Sequence, residues 1–450
     1  MLKKIIYLIF LTPLLGLIYN PFSFLKPSIK NKDITKNINY NKDYEDTINK
    51  LNVFFGVIGP NIDRSNIKTL YELLMGNGII NGIFISNGNI TFVKKFIKTD
   101  KFIRDELIRS FDILELIKYQ KQKRNIIFPN ILGVANTALY KIKDKLYALH
   151  ERDLPYLLNI NFTSKDIETV KRIEIKDVNY FSAHSKYNNS IIETIDYKLL
   201  EKKVIYYQLT ENFNIISEQK IRMKNYPLIH DFISTEESIL ILDSPLKINY
   251  KSFLSNKNII PIILDKNSPT YLYVYNKKKN KLTETYTIYD GFYVFHFADY
   301  YEDDTYIEIY ASLYDKLDFS SLKLQGKYRR IKINKLTKKV DIDKNIELEN
   351  MNLDFPIKYN NKIILQNSLE EFIICEKLNI IKKLRIPKGK INGEHQIVYI
   401  DNVAYLICFS SYDRSSSIII INLENDDIME IPIEEDLNVG FHSIYINNSL

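Results

Sequence analysis

NGIFISNGNITFVKKF, residues Asn81 to Phe96, is two alternating apolar stretches folded about Asn87, Gly88 and Asn89. An Asn-Gly pair between β-branched and aromatic residues is a strong short-range hairpin signal, because both residues tolerate the positive φ that a tight turn needs. The same grammar recurs in TALYKIKDKLYALHE from Thr137, KVIYYQLTENFNIISEQKI from Lys203 and TYLYVYNKKKNKLTETYTI from Thr270. It appears again in KIILQNSLEEFIICEK from Lys362 and SIIIINLENDDIMEIPI from Ser417. Helical periodicity is confined to short pieces such as IRDELIRSFDILELI, residues 103–117. Repeated hairpins with no Pro/Gly-rich linker after about Tyr40 predict one continuous all-β domain, a β-propeller. About 410 residues at roughly 50–60 per blade makes seven blades. Two stacked β-sandwiches are the competing arrangement, but no boundary between them is visible.

The chain has 450 residues, 45% of them hydrophobic and 26% charged, which is the balance of a globular protein with a sizeable core. A net charge of +7 over this length is mild. The basic cluster NKKKNK, Asn276 to Lys281, reads as a solvated turn. Nucleic acid is therefore not an expected partner, whereas a weak attraction to anionic lipid is compatible with the charge. Cys375 and Cys408 stand in apolar runs and read as buried small hydrophobes, with no disulfide framework and no paired-cysteine zinc motif.

Residues 1–30 differ from the rest, which from residue 31 to 450 reads as the propeller. After Lys3 and Lys4, Ile5 to Leu25 carries no charge, although Pro13, Asn20 and Pro21 weaken it as a bilayer span. A secretory signal, a span and an interfacial anchor all fit. Each directs the chain to a membrane or into the secretory pathway.

Six histidines are present: His150, His184, His230, His296, His395 and His442. Four lie in short apolar-aromatic contexts, FSAHSK, PLIHDF, VFHFADYYE and VGFHS, separated by 46, 66 and 146 residues. The innermost strand of every propeller blade lines the axis, so residues about a blade apart can converge on one point. Spacing alone leaves open whether such histidines are ligands or ordinary core and surface residues.

Nine stretches, in order, carry a resemblance to the carotenoid cleavage oxygenases, the family that includes the retinal-pigment-epithelium isomerase and apocarotenoid and stilbene cleavers. They are GPNIDR at Gly59, the hairpin region from Met75 to Phe102, ANTALYKIKDKLYALHERDLPY at Ala135, FSAHSK at His184 and IHDFISTEESILILDSPL at His230. FHFADYYED at His296, NLDFP at Asp354, GEHQIVYI at Glu394 and GFHS at His442 complete the set. Departures are Met75 and Asn77 where the family has aspartates, Asp299 where asparagine is common, Ser443 where glycine commonly follows, and Asp354 where the family has glutamate.

The resemblance implies a seven-bladed propeller under a helical and loop-rich dome, with Fe(II) on the axis held by His184, His230, His296 and His442. It also implies three carboxylates, Glu151, Asp354 and Glu394, behind the imidazoles. Imidazole suits Fe(II), and a carboxylate accepting the far N–H fixes the ring and raises its basicity. Aspartate is one methylene shorter than glutamate, so the Asp354 contact is expected either to shift its imidazole by about 1 Å or to pass through a water. His150 and His395 lie beside the motif glutamates and are not expected to be ligands. Glu302 is expected to bond the backbone of a neighbouring loop, without a chemical role. The implied activity is cleavage of a C=C bond of a carotenoid or apocarotenoid by dioxygen, at a membrane surface that supplies the apolar substrate. The alternatives are cleavage of a stilbene, or a propeller that has lost chemistry and survives as a binding scaffold.

Overall fold

A computed structural model describes residues 32–62, 67, 69–109, 133–249, 262–319 and 321–448. The N-terminal apolar segment, residues 1–30, lies outside them. All six hairpins form where the turn chemistry places them, including Asn77–Ser86 with Asn89–Phe96, whose turn residues Asn87 and Gly88 have φ of 50° and 71°. The expected helical piece begins earlier, at Asp100–Arg109, and its remainder is outside the described residues.

Seven antiparallel sheets follow one another along the chain. Blade 2 holds Ala138–Ile142, Lys145–Leu149, Tyr156–Asn161 and Asp166–Arg172. Blade 3 begins at Lys186–Asn188, blade 4 at Ile233–Ser234, blade 5 at Tyr293–Glu302, blade 6 at Leu353–Tyr359 and blade 7 with Lys390–Ile391 and Gln396–Ile400. Blade 4 carries a two-stranded insertion, Leu246–Ile248 with Ile262–Leu264. Blade 1 joins early and late parts of the chain: Ile34–Ile38 forms its outer edge, and Ser443–Asn447 its inner edge against Val53–Asn61. The inner strands of blades 5, 6, 7, 1 and 2 touch in succession, which places them around one axis.

The apolar core is distributed between the blades. Separate buried clusters fill the interfaces of blades 1–2, 2–3, 3–4, 4–5, 5–6, 6–7 and 7–1. Every blade is thus packed between two neighbours. Inner positions such as Val53–Asn61 are buried on both faces, whereas an outer strand such as Ile215–Arg222 is largely solvated. An eighth cluster, including Leu70, Leu246, Ile262, Leu317 and Phe319 with Tyr293 and Tyr314, belongs to no blade interface.

The 7–1 seam closes the ring, and Phe55 and Phe409 meet across it with ring centroids 5.2 Å apart. Both are fully buried. Phe55→Ala is expected to cost about 3–5 kcal/mol by opening a cavity at the seam, read as a lowered urea midpoint with unchanged m-value.

Candidate metal centre

Each inner strand starts near the axis, and the chemistry-bearing residues sit at those starts. His184 comes two residues before the inner strand of blade 3, and His230 three before that of blade 4. His296 lies within Tyr293–Glu302, and His442 immediately precedes Ser443–Asn447. Asp354 and Glu394 occupy the equivalent places in blades 6 and 7. Glu151 differs, following the second strand of blade 2.

The four predicted ligands come together. Nε2 of His184 is 3.0 Å from Nε2 of His230, which is 3.2 Å from that of His296, which is 3.2 Å from that of His442. One donor atom from each of the four lies within 4.8 Å of all the others. The carboxylates expected behind them are there: Glu151 contacts His230 Nδ1, Asp354 Oδ1 is 2.8 Å from His296 Nδ1, and Glu394 Oε1 is 3.4 Å from His442 Nδ1. Among the described residues no carboxylate stands behind His184. His150 and His395 remain outside the cluster, as expected: His150 Nδ1 meets Thr137 Oγ1 at 3.1 Å, and His395 packs on Phe372.

These contacts favour one tautomer. An ionised carboxylate only accepts, so a proton on Nδ1 suits His230, His296 and His442, each of which turns that nitrogen to a carboxylate. Burial works to raise the carboxyls of Glu151, Asp354 and Glu394, but the neighbouring imidazoles of His230, His296 and His442 respectively outweigh it and hold all three below their usual range. Three Nε2 lone pairs therefore converge with that of His184. One proton could bridge a single pair, whereas four nitrogens at this spacing suit a cation in their midst. Two imidazoles at right angles on an ion with bonds of about 2.1 Å stand about 3.0 Å apart. The donor set fits a borderline divalent transition metal such as ferrous iron.

The loops carrying the four histidines are held by groups that the sequence does not single out. Asp231, next to His230, accepts Lys186 Nζ at 2.7 Å through Oδ1 and the Phe297 backbone N–H at 3.2 Å through Oδ2. One carboxylate thus ties together segments adjoining His184, His230 and His296 in blades 3, 4 and 5. Its only local sign was the His-Asp dipeptide. Around His184, the hydroxyls of Ser182, Ser185 and Thr194 form a buried knot at 2.8–3.1 Å. His442 is held by backbone: Ile58 N donates to its carbonyl at 3.0 Å and its own N–H donates to Thr137 O at 3.3 Å. Gly393, at φ 80°, nearly touches Gly440, and a Cβ there would lie 3.1 Å from the Gly440 Cα and 2.3 Å from Val57. The glycines before Glu394 and His442 are therefore needed for the two segments to meet.

For Asp354 the water-bridged alternative is corrected: the side chain reaches His296 directly at 2.8 Å. The register of its strand breaks between Asp354 and Ile357, where Phe355 adopts a left-handed φ of 54°, so Asp354 stands at the edge of a bulge. Glu302 also differs: its carboxylate accepts Lys335 Nζ at 2.9 Å and the Tyr300 hydroxyl.

The imidazoles are walled by aromatics. Phe295 meets His230 edge-on at 5.4 Å and packs on Tyr293 and Tyr314. Phe355 lies 5.3 Å from His296 and 5.5 Å from His442. Through Tyr293, Tyr314 and Phe295 the site joins the apolar cluster of Leu70, Leu246, Ile262 and Phe319.

The family described as retinal pigment epithelial membrane protein, RPE65, matches residues 53–369. The chain belongs to this family. Among curated members, the carotenoid 9,10(9′,10′)-cleavage dioxygenase 1 of Pisum sativum is 27% identical over 228 residues, which is 47% of this chain and 42% of that protein. The carotenoid cleavage oxygenase 1 of Neurospora crassa is 25% identical over 183 residues, 38% of this chain and 33% of that one. The matched part thus spans less than half the length of these relatives. A variant of the Synechocystis apocarotenoid oxygenase shares the fold with a TM-score of 0.72 at 13% identity, over 96% of this chain and 99% of that one. A cobalt-substituted form of that oxygenase gives 0.70 at 14%, over 93% and 97%.

Proton linkage follows from the buried imidazoles of this RPE65-family chain. Burial pushes His150 and His395 down to about 4 each, and burial with the neighbouring imidazoles pushes His184 well below its usual value. Below about pH 6.5 the unfolded chain takes up protons that the native state refuses, so stability falls as pH drops from there towards 4. Urea midpoints of the metal-free protein are expected to decline across pH 7 to 4.5, and a flat profile would contradict the burial of these rings.

Proposed function

We propose that this chain is a non-haem Fe(II) dioxygenase that cleaves a C=C bond of a carotenoid or apocarotenoid, with both atoms of dioxygen ending in two carbonyl products. The reading is carried by the convergence of four imidazole Nε2 atoms backed by carboxylates on three Nδ1 atoms, in a member of the RPE65 family. His184, His230, His296 and His442 would hold the iron. The chemistry the iron supplies is activation of dioxygen towards the alkene.

The remaining work falls to the chain. Glu151, Asp354 and Glu394 fix three rings in one tautomer and keep their protons on Nδ1. Their negative charge offsets that of a dication in a buried place, where an uncompensated charge is costly. Phe295 and Phe355 exclude water beside the imidazoles and offer flat apolar surfaces to a polyene. The apolar cluster beyond Tyr293 and Tyr314 supports the choice of an extended, greasy substrate over a polar one. The relatives' carotenoid-cleaving names favour a carotenoid over a stilbene. Residues 5–25 would bring the chain to the membrane in which such substrates dissolve. No helix among the described residues is long and apolar enough to cross a bilayer.

Elemental analysis after anaerobic Fe(II) loading is expected to find one iron per chain, lost in His230→Ala and held about 10–100-fold more weakly in Glu394→Ala. Loaded protein with a carotenoid panel and oxygen should release paired carbonyl fragments, each gaining one oxygen atom. Folded wild type without stoichiometric iron would sink the enzyme reading.

A further inference from the structure

Three imidazoles are backed by carboxylates, two of them glutamates and the third the shorter Asp354. Beside the bulge at Phe355, Asp354 Oδ1 meets His296 Nδ1 at 2.8 Å, but a carboxylate held at one oxygen can still swing about its last bond. The second oxygen, Oδ2, accepts the hydroxyl of Tyr314. Tyr314 is the last residue of Tyr306–Tyr314 in blade 5, paired on one side with Tyr293 and on the other with Gly326. Its ring is 4% exposed and packed edge-on against Phe295 at 4.9 Å.

Gly326 makes this arrangement fit. A Cβ there would lie 2.4 Å from the carbonyl oxygen of Leu353 and 3.1 Å from the Tyr314 ring and hydroxyl. The missing side chain lets the Leu353–Asp354 backbone of blade 6 approach blade 5 while the tyrosine occupies the gap. Gly326 N also donates to Asn352 Oδ1 at 2.8 Å, which holds the same segment. The tyrosine hydroxyl thus stands against the carboxylate.

Resting on the four-imidazole reading, we propose that Tyr314 is a positioning residue of the metal centre, and that it holds the second oxygen of Asp354 behind His296 as the Ser443 backbone N–H holds the second oxygen of Glu394, at 2.9 Å, behind His442. The chain Tyr314 Oη, Asp354 Oδ2, Asp354 Oδ1, His296 Nδ1 crosses from blade 5 to blade 6 and back. It clamps the carboxylate at both oxygens, so that His296 presents Nε2 to the centre. The two residues are therefore interdependent: lengthening Asp354 collides with the hydroxyl, and deleting the hydroxyl makes room for the longer side chain.

Cobalt(II) is a suitable probe, because its visible absorption reports ligand geometry independently of turnover. Its affinity for the full-length chain is to be measured by chelator competition in wild type, Tyr314→Phe, Asp354→Glu and the double variant, with thermal unfolding confirming that each is folded. Tyr314→Phe and Asp354→Glu are each expected to weaken cobalt binding about tenfold and to alter its spectrum. The double variant is expected to recover the wild-type spectrum and most of the affinity, a coupling between neighbours that additive effects do not produce. Wild-type affinity and spectrum in Tyr314→Phe would overturn the inference, as would losses that simply add in the double variant. Failure of folded wild type to bind cobalt would overturn the four-imidazole reading itself, and this inference with it.

Discussion

Four imidazole nitrogens cannot be packed at hydrogen-bond distance from one another by apolar burial alone, because their lone pairs repel and only one proton fits between any two. Holding them requires rings whose orientation is fixed from behind. Here that is done by Glu151, Asp354 and Glu394 on three rings and by the hydroxyl knot at the loop of His184. Those supports come in turn from blades 2, 6, 7 and 3, so the site depends on the whole ring. A propeller supplies such a convergence cheaply in sequence terms, since each inner strand starts near the axis and needs only one or two special residues there. The rest of each blade is left free to pack against its neighbours.

The architecture was largely legible because its signals are local. Asn87-Gly88 and the other polar turns dictate hairpins through φ preferences that no distant contact alters, and the alternating runs on either side tell which strands are half-buried. The blade number followed from length, and the ring is closed by Ser443–Asn447 as a seventh interface demands. The insertion Leu246–Ile248 with Ile262–Leu264 was not foreseen, because a two-stranded excursion has the same local grammar as the blade that hosts it.

The centre was legible only in part. Spacing made convergence of His184, His230, His296 and His442 reasonable, but resemblance was needed to separate them from His150 and His395, which are just as buried in apolar surroundings. The carboxylates were visible for the same reason. What the sequence hid were contacts between blades. Asp231 reaches Lys186 and the backbone of Phe297, and Tyr314 reaches Asp354, across separations that leave no periodic trace. Nor does side-chain length alone tell that Asp354 meets His296 without a water, and the bulge at Phe355 beside it shows only in the register of blade 6.

The closing strand has one more consequence. His442 directly precedes the segment that zips onto Val53–Asn61, so the clasp of the ring and one corner of the donor cluster are the same piece of chain. Fraying at that seam removes a donor before any blade is lost. An ion gripped by nitrogens from blades 1, 3, 4 and 5 would act as a rivet against this fraying, through the general rule that whatever binds only the closed form favours it. Tight binding and a sealed circumference would then be two readings of one equilibrium.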